Sequence, residues 1–169
     1  CKYRVPIIFC NQYGANDELI FDGNSMVFND KGELICKGLS FDKDILTFNL
    51  NKKNIPLHNR EVSEVEEVYE ALILGVKDYI KKCKFKRVII GLSGGIDSAL
   101  TATIAAHALG AENVLGVMMP SDYSSEGSVS DSISLANNLN IETKCFPISN
   151  LVNCMNDTLK DEFSKYSVD

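Results

Sequence analysis

The chain has 169 residues, of which 45% are hydrophobic and 24% charged, and it carries a formal net charge of −6. That composition belongs to soluble globular proteins and allows one ordinary domain, or one domain with a piece of another. The acidic balance excludes a general nucleic-acid binder, and no apolar run approaches the roughly 20 residues of a membrane span. Six cysteines (1, 10, 36, 83, 145 and 154) show no C-x-x-C spacing and no neighbouring histidines, which argues against a structural zinc site. Several lie in apolar runs and are expected to be small buried hydrophobes. With no signal peptide, they point to the reducing cytoplasm. The first residue is Cys1 and not methionine, so the chain reads as a fragment.

In chain order, residues 1–50 look all-β. Val5 to Cys10 is a predicted strand, followed by a polar loop from Asn11 to Glu18. Met26-Val27-Phe28 and Leu34-Ile35-Cys36 flank Asn29-Asp30-Lys31-Gly32, a turn signal that predicts a hairpin. Ile45 to Leu50 is read as a further strand. Three or four strands in about 50 residues cannot bury a core alone, so exposed apolar strand edges are expected.

Residues 51–60, with Pro56 and His58, read as a linker. Val62, Val65, Tyr69, Leu72, Val76, Tyr79 and Cys83 then recur at helical spacing, with glutamates early and lysines late. The basic cluster Lys81, Lys82, Lys84, Lys86 and Arg87 closes that helix, where it complements the helix dipole. Three strand–helix units follow: strand 88–91 with helix 97–109, strand 114–119 with helix 129–139, and strand 142–146 with a last amphipathic stretch. That last stretch places Val152, Met155, Leu159 and Phe163 on one face. Such alternation predicts a parallel sheet with ligands at the carboxyl ends of its strands.

The chemistry concentrates in Gly91-Leu92-Ser93-Gly94-Gly95-Ile96-Asp97-Ser98, where the first of these strands turns into an alanine-rich helix ending at Gly110. The first turn of a helix presents unpaired N–H groups and a partial positive charge, a site for an anion. Two adjacent glycines allow backbone conformations closed to other residues and close approach of the anion. Ser93, Asp97 and Ser98 have a plainer reading as ordinary N-capping residues. The loop lacks the lysine of a Walker A motif and the spacing of a dinucleotide fingerprint. It does match G-x-S-x-G, the nucleophile elbow of serine hydrolases, with Ser93 as nucleophile. That reading needs a histidine base, and the sole later one, His107, lies ten residues along the helix from Asp97. At about 1.5 Å per residue that is roughly 15 Å, out of reach of Ser93. The elbow is kept as a minor alternative.

Ser93-Gly94-Gly95-Ile96-Asp97-Ser98 is similar to the S-G-G-x-D-S pyrophosphate loop of the N-type ATP pyrophosphatases, which cleave ATP to AMP and pyrophosphate. Met118-Met119-Pro120-Ser121-Asp122-Tyr123-Ser124-Ser125-Glu126-Gly127-Ser128 resembles the mobile segment over the ATP site of glutamine-dependent NAD synthetases. A plainer account of its end is a loop with a capping box over Ser128-Val129-Ser130-Asp131. Asn11 to Ser25 resembles the late part of the nitrilase-like glutaminase domain of the same enzymes, with Tyr13 and Ala15 as minor departures.

The resemblance implies a fold, an α/β parallel sheet of the adenine-nucleotide alpha-hydrolase-like (ATP pyrophosphatase) type preceded by a β-rich remnant of a nitrilase-like domain. It implies domains at 1–50 (nitrilase-like), 51–60 (linker) and 61–169 (synthetase). It implies ATP bound by Gly91, Leu92, Ser93, Gly94, Gly95, Ile96, Asp97 and Ser98, with Met118 as a further contact, and Mg²⁺ held by Asp97. It implies adenylation of deamido-NAD and its amidation to NAD, with ammonia from glutamine, by a ligase whose synthetase domains pair as dimers. The family's Cys–Glu–Lys glutaminase triad is expected upstream, and Cys1 and Cys10 do not lie in its context. The isolated chain is expected to be inactive. Another N-type ATP pyrophosphatase, such as a tRNA-modifying enzyme, is the alternative; it would call for a basic surface.

Overall fold

The computed structural model describes residues 3–50 and 62–166 and divides into two compact units, Cys1–Phe85 and Lys86–Asp169. The expected linker 51–60, His58 and Cys1 lie outside the described residues.

The first unit contains β1 (Ile7–Phe9), β2 (Tyr13–Asn16), β3 (Leu19–Asp22), β4 (Met26–Phe28), β5 (Leu34–Lys37) and helix α1 (Glu64–Lys82). β1, β4 and β5 form an antiparallel sheet in that order, so the hairpin around Asn29–Gly32 forms as expected. Asn29 organises its turn, its Oδ1 accepting the Lys31 and Glu33 N–H groups at 3.0 and 2.9 Å. β1 is an edge strand with Ile7, Ile8 and Phe9 all exposed, the apolar edge that a small β segment was expected to leave.

Two expectations fail in this unit. The stretch read as a loop, Asn11 to Glu18, instead carries β2, which pairs with β3 as a second hairpin through Asp17 and Glu18. Asp17 takes a positive φ of 52°, a conformation aspartate tolerates better than most residues. Ile45 to Leu50 forms no strand. There the Asp44 carboxylate accepts the N–H groups of Leu39 and Ile45, donors a ladder would need, and Ile45 is 90% exposed. The cysteines differ too: of those described only Cys36 is buried, while Cys10, Cys83, Cys145 and Cys154 are exposed, and all five are free thiols.

Helix α1 starts at Ser63, whose hydroxyl accepts the Glu66 N–H, and ends in Lys81 and Lys82 as the dipole favours. It packs on β2 and β3. Asp78 accepts the Ala15 N–H at 2.9 Å and pairs with Lys82, whose Nζ also donates to the Ala15 carbonyl. Both backbone polar groups of one β2 residue are thereby bound by a single helix turn. Ala15 is buried, so without Asp78 its N–H would lose its partner. The Ala15 N–H, ahead of the Lys82 ammonium, holds the Asp78 carboxyl below its usual range. A depressed carboxyl adds stability that is present above the unfolded pKa of about 3.9 and lost as pH falls. Asp78→Ala is expected to cost about 1–3 kcal/mol in urea titrations at pH 7. The gap to the parent should close below about pH 4. A gap that persists in acid would mean the carboxylate is not the source.

The second unit contains β6 (Val88–Gly91), α2 (Ile96–Leu109), a short 3₁₀ turn (Ala111–Asn113), β7 (Val114–Met118), α3 (Glu126–Leu139), β8 (Glu142–Cys145) and α4 (Ser149–Phe163). β6, β7 and β8 are parallel and adjacent in that order, with Gly91 opposite Val117 and Met118 opposite Cys145. The α/β parallel fold is therefore present. Its core is Leu92, Ala102, Ala105, Ala106, Val114, Met118, Ala136 and Ile141, and α2 and α3 both contact the sheet. Ala102 is fully buried: small side chains let α2 lie close to β6 and β7. Gly110 does cap α2 with a positive φ of 87°, but its ψ of 142° is outside the left-handed helical region. α4 forms as predicted, yet Met155, Leu159 and Phe163 of its apolar face remain exposed. Arg87 is used at the start of the sheet, donating to the Glu112 carbonyl and pairing with Glu142.

Candidate functional site

At the carboxyl end of β6 the chain makes one more sheet contact: the Leu92 N–H donates to the Val117 carbonyl at 2.8 Å. The Leu92 side chain turns into the core, only 6% exposed, over Gly116, where a Cβ would come within 2.6 Å of it. Leu92 thus anchors the loop, and its N–H is committed to the sheet.

The loop then closes on itself through its serines. The Ser98 hydroxyl donates to the Gly95 carbonyl at 3.0 Å, while Ser98 Oγ accepts the Ser93 N–H at 3.2 Å. The two hydroxyls are 3.1 Å apart, and with the Ser98 proton committed, the proton between them belongs to Ser93. Ser93 Oγ in turn accepts the Gly95 N–H at 3.3 Å. The N-cap of α2 is Gly95, with no side-chain cap. The capping account of Ser93, Asp97 and Ser98 is therefore overturned: Asp97 and Ser98 lie inside the first turn. The N–H groups of Ile96, Asp97 and Ser98 have no partner within the helix, and no capping side chain takes their place. Asp97 is exposed beside them.

Gly94 seats the loop on α3. Its φ is +80°, and a Cβ there would lie 2.5 Å from both Cα and the carbonyl oxygen of Ser128. The seat is itself fixed: Ser132, 2% exposed, donates to the same Ser128 carbonyl at 2.8 Å. α3 begins at Glu126, three residues before the expected 129. Its N-cap is Ser125, which accepts the Ser128 N–H at 3.1 Å. The capping box proposed over Ser128 to Asp131 is thereby corrected.

A cleft of about 480 Å³ opens between these parts, lined by Gly91–Ser93, Met118–Pro120, Tyr123–Ser125 and, from α3, Ser128, Val129 and Ser132. Of the predicted residues, Gly91, Leu92, Ser93 and Met118 line it. Gly94, Gly95, Ile96, Asp97 and Ser98 are not among its lining and continue from Ser93 along the loop and first turn of α2. Ile96 points 80% of its surface to solvent. His107, the base the elbow would need, is in the last turn of α2, at the opposite end of the helix from the loop. Ser132 was not anticipated; a serine four residues after Ser128 on a half-apolar helix face was the available signal. A larger cavity of about 660 Å³ in the first unit, around Phe9, Val27 and Phe48, holds none of the predicted site residues.

Among the described residues no group of three or more His, Cys, Asp or Glu side chains is placed to hold a metal. Mg²⁺ does not need one, since it is usually held by one or two carboxylates together with phosphates and water. A single exposed carboxylate at a helix start that can take phosphate fits that donor set. No helix of the described residues is long and apolar enough to cross a membrane.

The family profile described as NAD synthase matches residues 68–168. The chain is 46% identical over 152 residues to a glutamine-dependent NAD(+) synthetase of Synechocystis sp., covering 87% of this chain and 27% of that protein. It is 38% identical to a protein of the same description from Thermotoga maritima, covering 96% of this chain and 34% of the relative. Among solved structures it resembles a glutamine-dependent NAD+ synthetase from Acinetobacter baumannii in complex with ADP, with a TM-score of 0.91 and 37% identity. That match covers 98% of this chain and 32% of the other. The chain thus spans about a third of the length of these relatives or less.

Proposed function

The chain belongs to the NAD synthase family, and from that premise we propose that it carries the nucleotide corner of a glutamine-dependent NAD synthetase. In the proposed reaction the nicotinate carboxylate of deamido-NAD attacks the α-phosphorus of ATP, pyrophosphate leaves, and ammonia displaces AMP to give the amide of NAD. Ammonia is supplied by glutamine hydrolysis in a nitrilase-like domain, of which residues 1–50 are a part, with 51–60 as linker and 61–169 as synthetase segment. The enzyme works in the cytoplasm as a homo-oligomer through synthetase-domain dimers, with small-molecule substrates and neither nucleic acid nor membrane as partner.

The observation that carries this reading is the uncapped start of α2, with the serine-locked loop leading into it beside the cleft. In the proposed roles, the first-turn N–H groups of Ile96, Asp97 and Ser98 hold pyrophosphate oxygens. The Ser93 and Ser98 hydroxyls, now spent on each other and on Gly95, rotate outward as further donors. Gly94, with no Cβ to meet the Ser128 backbone, lets the loop lie against α3. Met118 and Leu92, both nearly buried in the core, back the wall of the cleft. Asp97 would hold Mg²⁺, which when bound would supply positive charge to the phosphates. Preorganised donors aimed at developing charge are the largest lever such a site has, because they need no reorganisation during the reaction. Free thiols at all five described cysteines support the reducing compartment.

Isothermal titration of the chain with ADP is expected to give saturable binding that depends on Mg²⁺. A flat titration with Mg²⁺ present would overturn the nucleotide reading.

A further inference from the structure

We propose that Asp122 and Ser149 form a latch that positions the Tyr123 wall of the cleft for nucleotide; the proposal rests on the nucleotide reading above. The connection from β7 to α3 supplies Tyr123, Ser124 and Ser125 to the cleft. Its beginning is fixed by backbone: the Phe146 and Ile148 N–H groups donate to the carbonyls of Met118 and Pro120 at 2.9 and 2.8 Å, carrying the β7–β8 pairing past the strands. Its end is fixed by Ser125 as the cap of α3. Between these points the chain makes one tight turn. The Ser124 N–H donates to the Ser121 carbonyl, Ser124 Oγ accepts the Ser121 N–H, and Ser121 Oγ accepts the Tyr123 N–H.

Those bonds hold the turn's shape and not its place. Apolar burial does not hold it either, since Tyr123 is 82% and Met119 52% exposed. Among the described residues, the turn's one side-chain hydrogen bond to another element is from the Ser149 hydroxyl to Asp122 Oδ1, at 2.8 Å across 27 residues. A carboxylate acceptor makes this a charge-assisted bond, stronger than a neutral pair. Ser149 is the first residue of α4, so the latch ties the cleft wall to the β8–α4 junction. Unlatched, the turn must be ordered by the nucleotide itself, and that cost appears as lost affinity.

Titrations with Mg²⁺ and ADP test this in the whole chain. Asp122→Ala and Ser149→Ala are each expected to weaken binding about three- to tenfold. The double variant should be no weaker than either single one, because both remove the same bond. Asp122→Asn, whose amide oxygen still accepts from Ser149, should restore most of the affinity. Hydrogen exchange at the Tyr123 and Ser124 amides should quicken in both alanine variants at unchanged melting temperature. Unchanged affinity, additive losses, or no rescue by asparagine would overturn the latch while leaving the nucleotide reading intact. Failure of the parent chain to bind ADP would instead overturn that reading, and the latch's role with it.

Discussion

Gly94→Ala is expected to cost the chain its proposed nucleotide site, whereas Gly95→Ala, one residue on, is expected to be tolerated. At position 94 two penalties act together. The backbone has a φ of +80°, where an L-residue with a Cβ is strained by about 1–2 kcal/mol. The added carbon would also lie 2.5 Å from the Ser128 backbone, a rigid neighbour whose carbonyl is held by buried Ser132. Overpacking against such a wall typically costs about 1–3 kcal/mol, so the sum is about 2–5 kcal/mol. Relief requires the loop to lift off α3, which moves Ser93 and the start of α2 away from the cleft. At Gly95 the φ is −87°, and a Cβ would meet only Ser93 Oγ at 3.4 Å, an ordinary contact. Calorimetry with Mg²⁺ and ADP should show at least about a tenfold loss for Gly94→Ala, equivalent to 1.4 kcal/mol, and much less for Gly95→Ala. Equal losses at both positions would mean the seat on Ser128 is unimportant.

That contrast marks how far the sequence could be read. Two adjacent glycines identify a loop that needs unusual backbone, but only the structure separates Gly94, which uses the positive φ, from Gly95, which is an extended N-cap. The three parallel strands were legible because Val88–Ile90, Val114–Met118 and Glu142–Cys145 alternate with helical runs, a pattern that leaves few topologies. The β2–β3 hairpin was not, because Asp17-Glu18 lacks the glycine that usually marks a two-residue turn. The stretch from Ile45 to Leu50 has the composition of a strand, but Asp44 captures the Leu39 and Ile45 N–H groups, and among the described residues no strand ladder includes it. The start of α3 was displaced because Ser125 and Ser128 are equally good caps in composition, and the backbone chose the first. Local rules found the elements; competition between local partners decided the edges.

Asp97→Ala tests the charge in the proposed site and is expected to have the largest effect on function with little effect on the fold. Asp97 is exposed in the first turn of α2, so its removal leaves no cavity. Loss of a favourable acid–dipole contact costs only about 0.3–1 kcal/mol, and the melting temperature should hardly move. In the proposed role the carboxylate would hold Mg²⁺, and neither the rest of the loop from Gly91 to Ser98 nor the described lining of the cleft carries another carboxylate. The Mg²⁺-dependent part of ADP affinity should therefore vanish, leaving the weaker, metal-independent contacts of the N–H groups and serine hydroxyls. In an active synthetase containing this segment, removal of one preorganised charge-stabilising group predicts a loss of about 2.7–4 kcal/mol, or roughly 10²–10³-fold in turnover. Asp97→Asn separates charge from shape. Asparagine preserves volume and acceptor oxygen but is a far poorer Mg²⁺ ligand, so it should resemble alanine in the Mg²⁺ titration. If either variant bound ADP with the parent's Mg²⁺ dependence, the metal would have to be held elsewhere, and Asp97 would be only a helix-start acid.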